Sequence, residues 1–319
     1  MSDQASQSVI AITLCTANRP AFLTACLEGI AKLNRPDGYT LVLCLVENGP
    51  SAECFEYVSR FAAECGLNFK YRLEQQMGIP FARNTSIELA LETKPDLIAC
   101  LDDDEVPSQG WLIEHIGALE KFSADVSFCR VTKLYESTPP KWYPIDVEKD
   151  SPAGTPLNWA ATGNVLFSAK LVNDCGPGLR FQKGLMSGYE DLDFFERASA
   201  IGFRIVNCPS AQVWENVPTS RLTSERFLFK IRSAAAAQVQ AYRLYHSGLA
   251  TTWKFWRRAL RRMAWGGLLM IRGVVVDRIA NDNEYTEYTK SRIIFERGLG
   301  ALLGMFGIVP KYYAVIDGS

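Results

Sequence analysis

The chain has 319 residues, 48% of them hydrophobic and 22% charged, the make-up of a folded protein with one large core and an appendage. A net charge of −1 hides an uneven layout: residues 1–220 carry 18 Lys/Arg against 28 Asp/Glu, and residues 221–319 carry 16 against 7. No run of 18 apolar residues exists to span a bilayer, and an acidic body with a basic tail points the tail towards an anionic surface.

In chain order, the apolar run 9–15 predicts a buried strand, and residues 20–33 have apolar side chains at helical spacing. Further strands are expected over 41–46, 69–73 and 97–101, with helices over 52–65 and 80–92 between them. Pro80 suits the first turn of its helix. This cadence predicts a parallel α/β sheet with helices on both faces. Ligands of such sheets bind beyond the carboxyl ends of the strands. Three of the strands end there in polar residues: Thr16-Ala17-Asn18-Arg19, Glu47-Asn48-Gly49 and Asp102-Asp103-Asp104-Glu105.

After a helix from Trp111 to Phe122, residues 126–134 predict one strand. A Pro-rich connection over 138–156 reads either as a binding loop or as a disordered insertion. Residues 159–168 predict a strand with a polar break at Thr162-Gly163-Asn164. A helix over 188–201 and short strands over 204–208 and 211–214 close this part. The nine cysteines form no CxxC pair and no metal-ligand spacing, and most lie in apolar runs where Cys acts as a small hydrophobe. The polar first eight residues lack an apolar targeting core, so a reducing cytoplasm is expected.

Two constellations carry chemistry. Asp102, Asp103, Asp104 and Glu105 place like charges at one sheet edge, where they resist desolvation unless a cation neutralises them. Hard divalent ions take oxygen ligands and complete their shell with substrate phosphates. The spacing Asp102-x-Asp104 therefore suggests a metal holding a diphosphate. A solvated loop with helix-capping acids before Trp111 is the other reading. The second constellation is Ser187-Gly188-Tyr189-Glu190-Asp191-Leu192-Asp193. Ser187 and Glu190 have capping-box spacing, and acids in a first turn favour the helix dipole. Asp191 is not needed for capping, and a carboxylate there could take a proton from a substrate hydroxyl.

In order along the chain, residues 9–20, Glu47-Asn48-Gly49, Gly78-Ile79-Pro80-Phe81-Ala82-Arg83-Asn84, 101–105, Thr162-Gly163-Asn164 and Glu190-Asp191 resemble the family 2 glycosyltransferases, most closely bacterial succinoglycan-type enzymes of exopolysaccharide biosynthesis. The resemblance covers roughly residues 8–220. It implies the GT-A fold, a Rossmann-like mixed α/β sheet with helices on both faces, over 1–220. Residues 221–319 would then form a helical, basic amphipathic, membrane-associating extension.

It also implies an inverting transfer from a nucleotide-diphosphate sugar, UDP-linked by preference, to a saccharide or polyprenyl-diphosphate-linked acceptor. Thr16, Asn18 and Arg19 would line the nucleotide pocket, and Glu47 stands where relatives have a base- or ribose-binding Asp. Arg83 and Asn84 match a segment whose Arg faces the diphosphate or supports the acidic loop. Asp102 and Asp104 match the ligands of Mg2+ or Mn2+, Asp103 and Glu190 flank the donor, and Asp191 matches the catalytic base. One departure is Trp214, which stands where many relatives have a His near the metal; Glu215 is the candidate substitute.

In the tail, Trp253, Trp256, Leu260, Met263, Ala264 and Gly267 fall on one helical face, with Lys254, Arg257, Arg258, Arg261 and Arg262 on the other side. That pattern predicts an interfacial helix peripheral to the inner face of an anionic cell membrane; a helical subdomain with a solvated basic face is the alternative. No nucleic-acid motif accompanies the charge. Two other functions stand against the transferase. A sugar-phosphate nucleotidyltransferase would open with Gly-x-Gly-Thr-Arg, where this chain has Cys15-Thr16-Ala17-Asn18-Arg19-Pro20. A degenerate sugar-nucleotide binder or assembly subunit is made thinkable by Trp214 and Glu47. His115 and His246 are assigned packing or surface places.

Overall fold

A computed structural model describes residues 7–145, 151–246, 248–310 and 312. The apolar runs pair as expected. Ser8–Thr16 (β1), Tyr39–Asn48 (β2), Asn68–Glu74 (β3) and Leu97–Asp102 (β4) lie parallel. Helices Pro20–Ala31 (α1), Phe55–Glu64 (α2) and Ile79–Leu91 (α3) connect them. Alternation along β1 sends Ile10, Ile12 and Leu14 to one face and Ala11 to the other. The first face packs on Leu23 and Leu27 of α1 and on Trp111 and Leu112 of Trp111–Phe122 (α4). The second packs on Ile87 and Leu89 of α3 and on Phe194 and Phe195 of Glu190–Ala200 (α5).

The whole sheet is mixed rather than parallel. Beyond β4 it continues through Val165–Ser168, Val126–Phe128, Ile205–Asn207 and Pro156–Leu157. In chain order, Glu105–Pro107 is β5, Val126–Phe128 is β6, Thr132–Tyr135 is β7, Pro156–Leu157 is β8, Val165–Ser168 is β9, Ile205–Asn207 is β10 and Val213–Val217 is β11. Strand β9 runs antiparallel to both β4 and β6.

Two expected strands are corrected. The stretch 126–134 divides, because β6 stays in the main sheet while β7 leaves it to lie parallel to β11 in a small second sheet with β5. Cys129 makes the last main-sheet bond, donating its N–H to the Asn164 carbonyl at 3.2 Å, before the chain crosses over. Of residues 159–168 only the last four form a strand, since Asn164 has a left-handed φ of 112°. The Pro-rich connection supplies β8, and residues 146–150 within it lie outside the described residues.

From residue 224 the chain is helical: Ser224–Tyr245 (α6), Leu249–Ile279 (α7) and Thr286–Met305 (α8). Helix α8 packs against both α6 and α7, and Val239, Ala259, Ala301 and Met305 form a small core among the three. Among the described residues no helix is long and apolar enough to cross a membrane.

Candidate active site

Strand β4 delivers the acidic cluster to the edge where β1 and β2 also end, so the three polar strand ends meet. The four acids then separate by direction. Asp103 turns inward and is buried, accepting a hydrogen bond from Thr16 Oγ1 at 2.7 Å and pairing with Arg19 Nη1 at 3.1 Å. Burial, with Asp104 adding, raises its pKa to about 6 against the pull of Arg19. Asp104 pairs with Arg221 Nη2 at 3.0 Å and with Arg19 Nη1 at 3.4 Å. Asp102 is the open one, its side chain 43% exposed, and it pairs with Arg83 Nη2 at 3.2 Å. Glu105 folds beneath the turn, where its Oε2 accepts the Asp102 N–H at 2.9 Å. A Cβ at Gly163 would collide with the Glu105 carboxylate, so the Thr162-Gly163-Asn164 loop closes on the turn only with glycine there.

Desolvation pushes the pKa of the buried Glu105 well above its ordinary value, and the carboxylates of Asp102, Asp104 and Glu215 add to it. The crowding inferred from the sequence is therefore real, and three arginines from three elements answer it. Arg19 precedes α1, Arg83 lies on α3, and Arg221 lies in the single helical turn Thr219–Leu222. An arginine fork suits this task, and it suits phosphate oxygens equally well.

Arg83 also joins the two constellations: its Nη1 pairs with Glu190 Oε1 while Nη2 holds Asp102. Glu190 is buried, its Oε2 has no partner among the described residues, and burial with the nearby Asp191 raises its pKa to about 7. The capping-box reading of Ser187 and Glu190 is corrected here. Helix α5 starts at Glu190 with Tyr189 at its N-cap, and no side-chain cap bond is made. Gly188 at φ 105° and Tyr189 at φ 73° turn the chain left-handed, which directs Glu190 onto Arg83 instead. Asp193 is buried and takes Arg197 Nε at 2.9 Å. Asp191 differs from its neighbours. It is half-buried, accepts only the Leu192 N–H at 2.7 Å, and has no basic partner among the described residues.

Other residues read from the sequence hold the frame. Glu47 is buried and spends both oxygens internally, accepting from Tyr71 Oη at 2.7 Å and from the backbone N–H groups of Glu53 at 2.9 Å and Cys54 at 3.2 Å. Asn84 clamps residue 181 through both backbone groups, at 2.8 and 2.9 Å. Asn18 is exposed in a left-handed turn at φ 50°. Trp214 sits in β11 between Val106 and Thr132, while Glu215 pairs with Arg221 at 2.9 Å. Burial and the nearby Asp104 raise the pKa of Glu215, opposed by Lys230, Arg221 and Lys133.

Sequence reasoning gave Arg221 and Lys230 no role at this edge, whereas Glu105 was read as part of its acidic cluster. Arg221 lies 117 positions from Asp104, and only the fold joins them. It also missed the support of the 162–164 loop. Asn164 Oδ1 accepts from Trp111 Nε1 at 2.8 Å and lies 2.9 Å from His115 Nε2, while its Nδ2 donates to the Ala211 carbonyl at 2.8 Å. His115 Nδ1 lies 2.8 Å from Ser127 Oγ, so this histidine is a packing residue, as expected.

The donor set offered by Asp102 and Asp104 is all oxygen, at an edge where one turn brings four carboxylates together. It fits a hard dication such as Mg2+ or Mn2+. Among the described residues no group of three or more His, Cys, Asp or Glu stands ready as a metal cage, so such an ion would draw the rest of its shell from substrate and water.

The sequence profile described as "Glycosyl transferase family 2" matches residues 11–186. The chain therefore belongs to glycosyl transferase family 2. The matched stretch ends before Glu190 and Asp191. The succinoglycan biosynthesis protein ExoM of Rhizobium meliloti (strain 1021) is 28% identical over 215 residues, covering 66% of this chain and 68% of that one.

Solved structures share the fold. Mannosyltransferase PcManGT from Pyrobaculum calidifontis, in complex with GDP-Man and Mn2+, superposes with a TM-score of 0.61 at 14% identity, covering 92% of this chain and 86% of that one. S. aureus TarS 1–349 in complex with UDP gives a TM-score of 0.53 at 16% identity, covering 97% and 95%. The fold is thus the expected GT-A type with a helical C-terminal extension.

Proposed function

We propose that the chain is an inverting glycosyltransferase of bacterial polysaccharide biosynthesis. It moves a sugar from a nucleotide-diphosphate donor, a UDP-sugar by preference, to a hydroxyl of a saccharide or polyprenyl-diphosphate-linked acceptor. Residues 1–220 form the catalytic unit, and residues 221–319 form a helical unit peripheral to the inner face of an anionic membrane. The observation that carries the chemistry is the bridge from Asp102 through Arg83 to Glu190, which leaves Asp191 near Arg83 but in no direct ion pair among the described residues. The likeness to ExoM supports polysaccharide biosynthesis, and the nucleotide-bound TarS and PcManGT structures support the donor class.

In this reading Asp191 takes the proton of the acceptor hydroxyl as that oxygen attacks the anomeric carbon. The diphosphate leaves from the opposite face, with inversion. Asp102 and Asp104 would hold a Mg2+ or Mn2+ ion, which would supply positive charge against the leaving diphosphate. Thr16 and Arg19 fix Asp103, and Arg83 fixes Asp102, so the acidic turn is held before any donor arrives. Arg221, already on Asp104, stands where it can pass its fork to a phosphate oxygen. Glu47 positions the start of α2 under the nucleotide pocket that Asn18 flanks, and Asn84 holds the 181 segment against α3.

A panel of nucleotide sugars, screened for thermal stabilisation with and without Mn2+ and then for transfer, tests this. A true donor stabilises the protein by mass action and is consumed by the wild type but not by Asp191→Asn. Donor binding without transfer or donor hydrolysis would instead mark a binding subunit.

A further inference from the structure

Helix α7 is built inside out for a protein in water. The side that meets α8 carries small residues: a Cβ at Gly266 would come within 2.7 Å of the Phe295 backbone, and one at Gly273 within 2.7 Å of the Tyr288 backbone. Ala259 is buried on the same side. The large apolar residues point outward. Leu260, Leu268, Ile271, Val275 and Ile279, spaced by eight, three, four and four, share one side of the helix. Leu268 is 58%, Ile271 70% and Ile279 78% exposed. Trp265, 56% exposed, borders the stripe. The stripe runs about 28 Å along the helix, and soluble monomers rarely leave so large an apolar patch bare. It overlaps the face read from the sequence at Leu260, and Trp253 and Ala264 are exposed too, but Trp256 packs against Phe306, and Met263 and Gly267 are half-buried.

Charge selects the occupant. Over its 31 residues α7 carries Lys254, Arg257, Arg258, Arg261, Arg262, Arg272 and Arg278 against one acid, Asp277. That acid is buried and accepts the Glu287 and Tyr288 N–H groups at 3.0 and 2.9 Å. Burial, then Arg258, Arg297 and Arg261, lower the pKa of Arg262. None of these four guanidiniums has a carboxylate partner among the described residues. A second copy packed on this stripe would bring like charges together, whereas lipid phosphates would answer them.

We propose that α7 lies lengthwise in the headgroup boundary of an anionic bilayer, inserting Leu260, Leu268, Ile271, Val275 and Ile279 while its arginines reach lipid phosphates. This rests on the membrane contact in the function proposed above and adds the face that makes it. Arginine suits the border of such a stripe, because its stem lies along apolar surface while its head stays at the phosphates. Tryptophan suits the same depth.

The test is co-sedimentation of the full chain with vesicles of phosphatidylcholine alone or mixed equally with phosphatidylglycerol. Wild type should bind the mixed vesicles about tenfold or more tightly than the neutral ones. The variant Leu268→Glu/Ile271→Glu should lose about tenfold or more of that binding, and Arg257→Gln/Arg261→Gln should lose the preference for anionic lipid. Stabilisation by UDP, measured on the same samples, reports folding and the nucleotide site separately. Undiminished vesicle binding by a folded Leu268→Glu/Ile271→Glu variant overturns the proposal. A lipid-free dimer of the wild type that this variant dissolves also overturns it, since the stripe would then be a subunit interface. Vesicle binding without any nucleotide binding would leave this proposal standing and sink the transferase reading instead.

Discussion

Arg221 reaches Asp104 at 3.0 Å from a turn just before α6, so the residue that begins the C-terminal unit closes the acidic edge of the sheet. Its other nitrogen holds Glu215 at 2.9 Å. One guanidinium thus neutralises two carboxylates that no other described ion pair offsets, apart from the 3.4 Å approach of Arg19 to Asp104.

Replacing it with Arg221→Gln should therefore cost donor binding. Hydrogen bonds to charged groups are worth about 1.5–3 kcal/mol, so KM for the nucleotide sugar should rise about ten- to a hundredfold. Steady-state kinetics against donor concentration checks this, and an unchanged KM would make the pair a structural one only.

Asp191→Asn should lower kcat by about a hundred- to ten-thousandfold, the usual worth of a general base. UDP affinity should stay close to wild type, because among the described residues Asp191 makes no direct ion pair and its hydrogen bond is to the Leu192 N–H. A large loss of nucleotide affinity in this variant would place Asp191 in the donor site rather than opposite it.

Asp104→Ala should remove the metal-dependent part of donor binding. It also removes one of the two carboxylates that Arg221 holds, leaving Glu215 on its other nitrogen, so binding without metal should persist or improve. Titration of Mn2+ in the presence of UDP distinguishes the two effects, and an unchanged metal response would contradict the ligand role.

Acid should weaken the fold through His115. Burial lowers its pKa from 6.5 to about 4, so the folded state carries it neutral while the unfolded chain protonates first. A base depressed in this way contributes stability above pH 6.5 and loses it as the pH falls towards 4. At about 1.4 kcal/mol per unit, that is on the order of 3 kcal/mol. Denaturation of wild type and His115→Gln at several pH values isolates the term: the wild type should fall more steeply over this window. Equal slopes would mean that His115 is protonated inside the fold.

The half of the sheet that carries β1 to β4 was legible in the sequence, because β1, β2 and β4 are short apolar runs, β3 alternates, and none needs a distant partner to be seen. What failed depended on partners far along the chain. The stretch 126–134 has apolar residues from end to end and no Gly or Pro to break it, yet its two ends pair in different sheets. Ser187 and Glu190 have capping spacing, but Arg83, over a hundred residues away, takes the Glu190 carboxylate. The acidic turn was evident from spacing; the arginines that balance it were only half visible, since Arg221 closes a Val-Pro-x-x-Arg segment that says nothing of Asp104, 117 positions away. Helix α7 shows the same limit. Periodicity revealed an amphipathic helix, but which side packs was decided by Gly266 and Gly273 meeting α8, and a single helix does not display its neighbour.

The most direct test of the account is calorimetric titration of UDP into the full chain, with Mn2+ and again with the metal chelated. Binding that is strong with Mn2+ and much weaker on chelation is the predicted result. If neither UDP nor GDP binds under either condition, the acidic edge is not a diphosphate site and the proposed transfer reaction has no donor pocket.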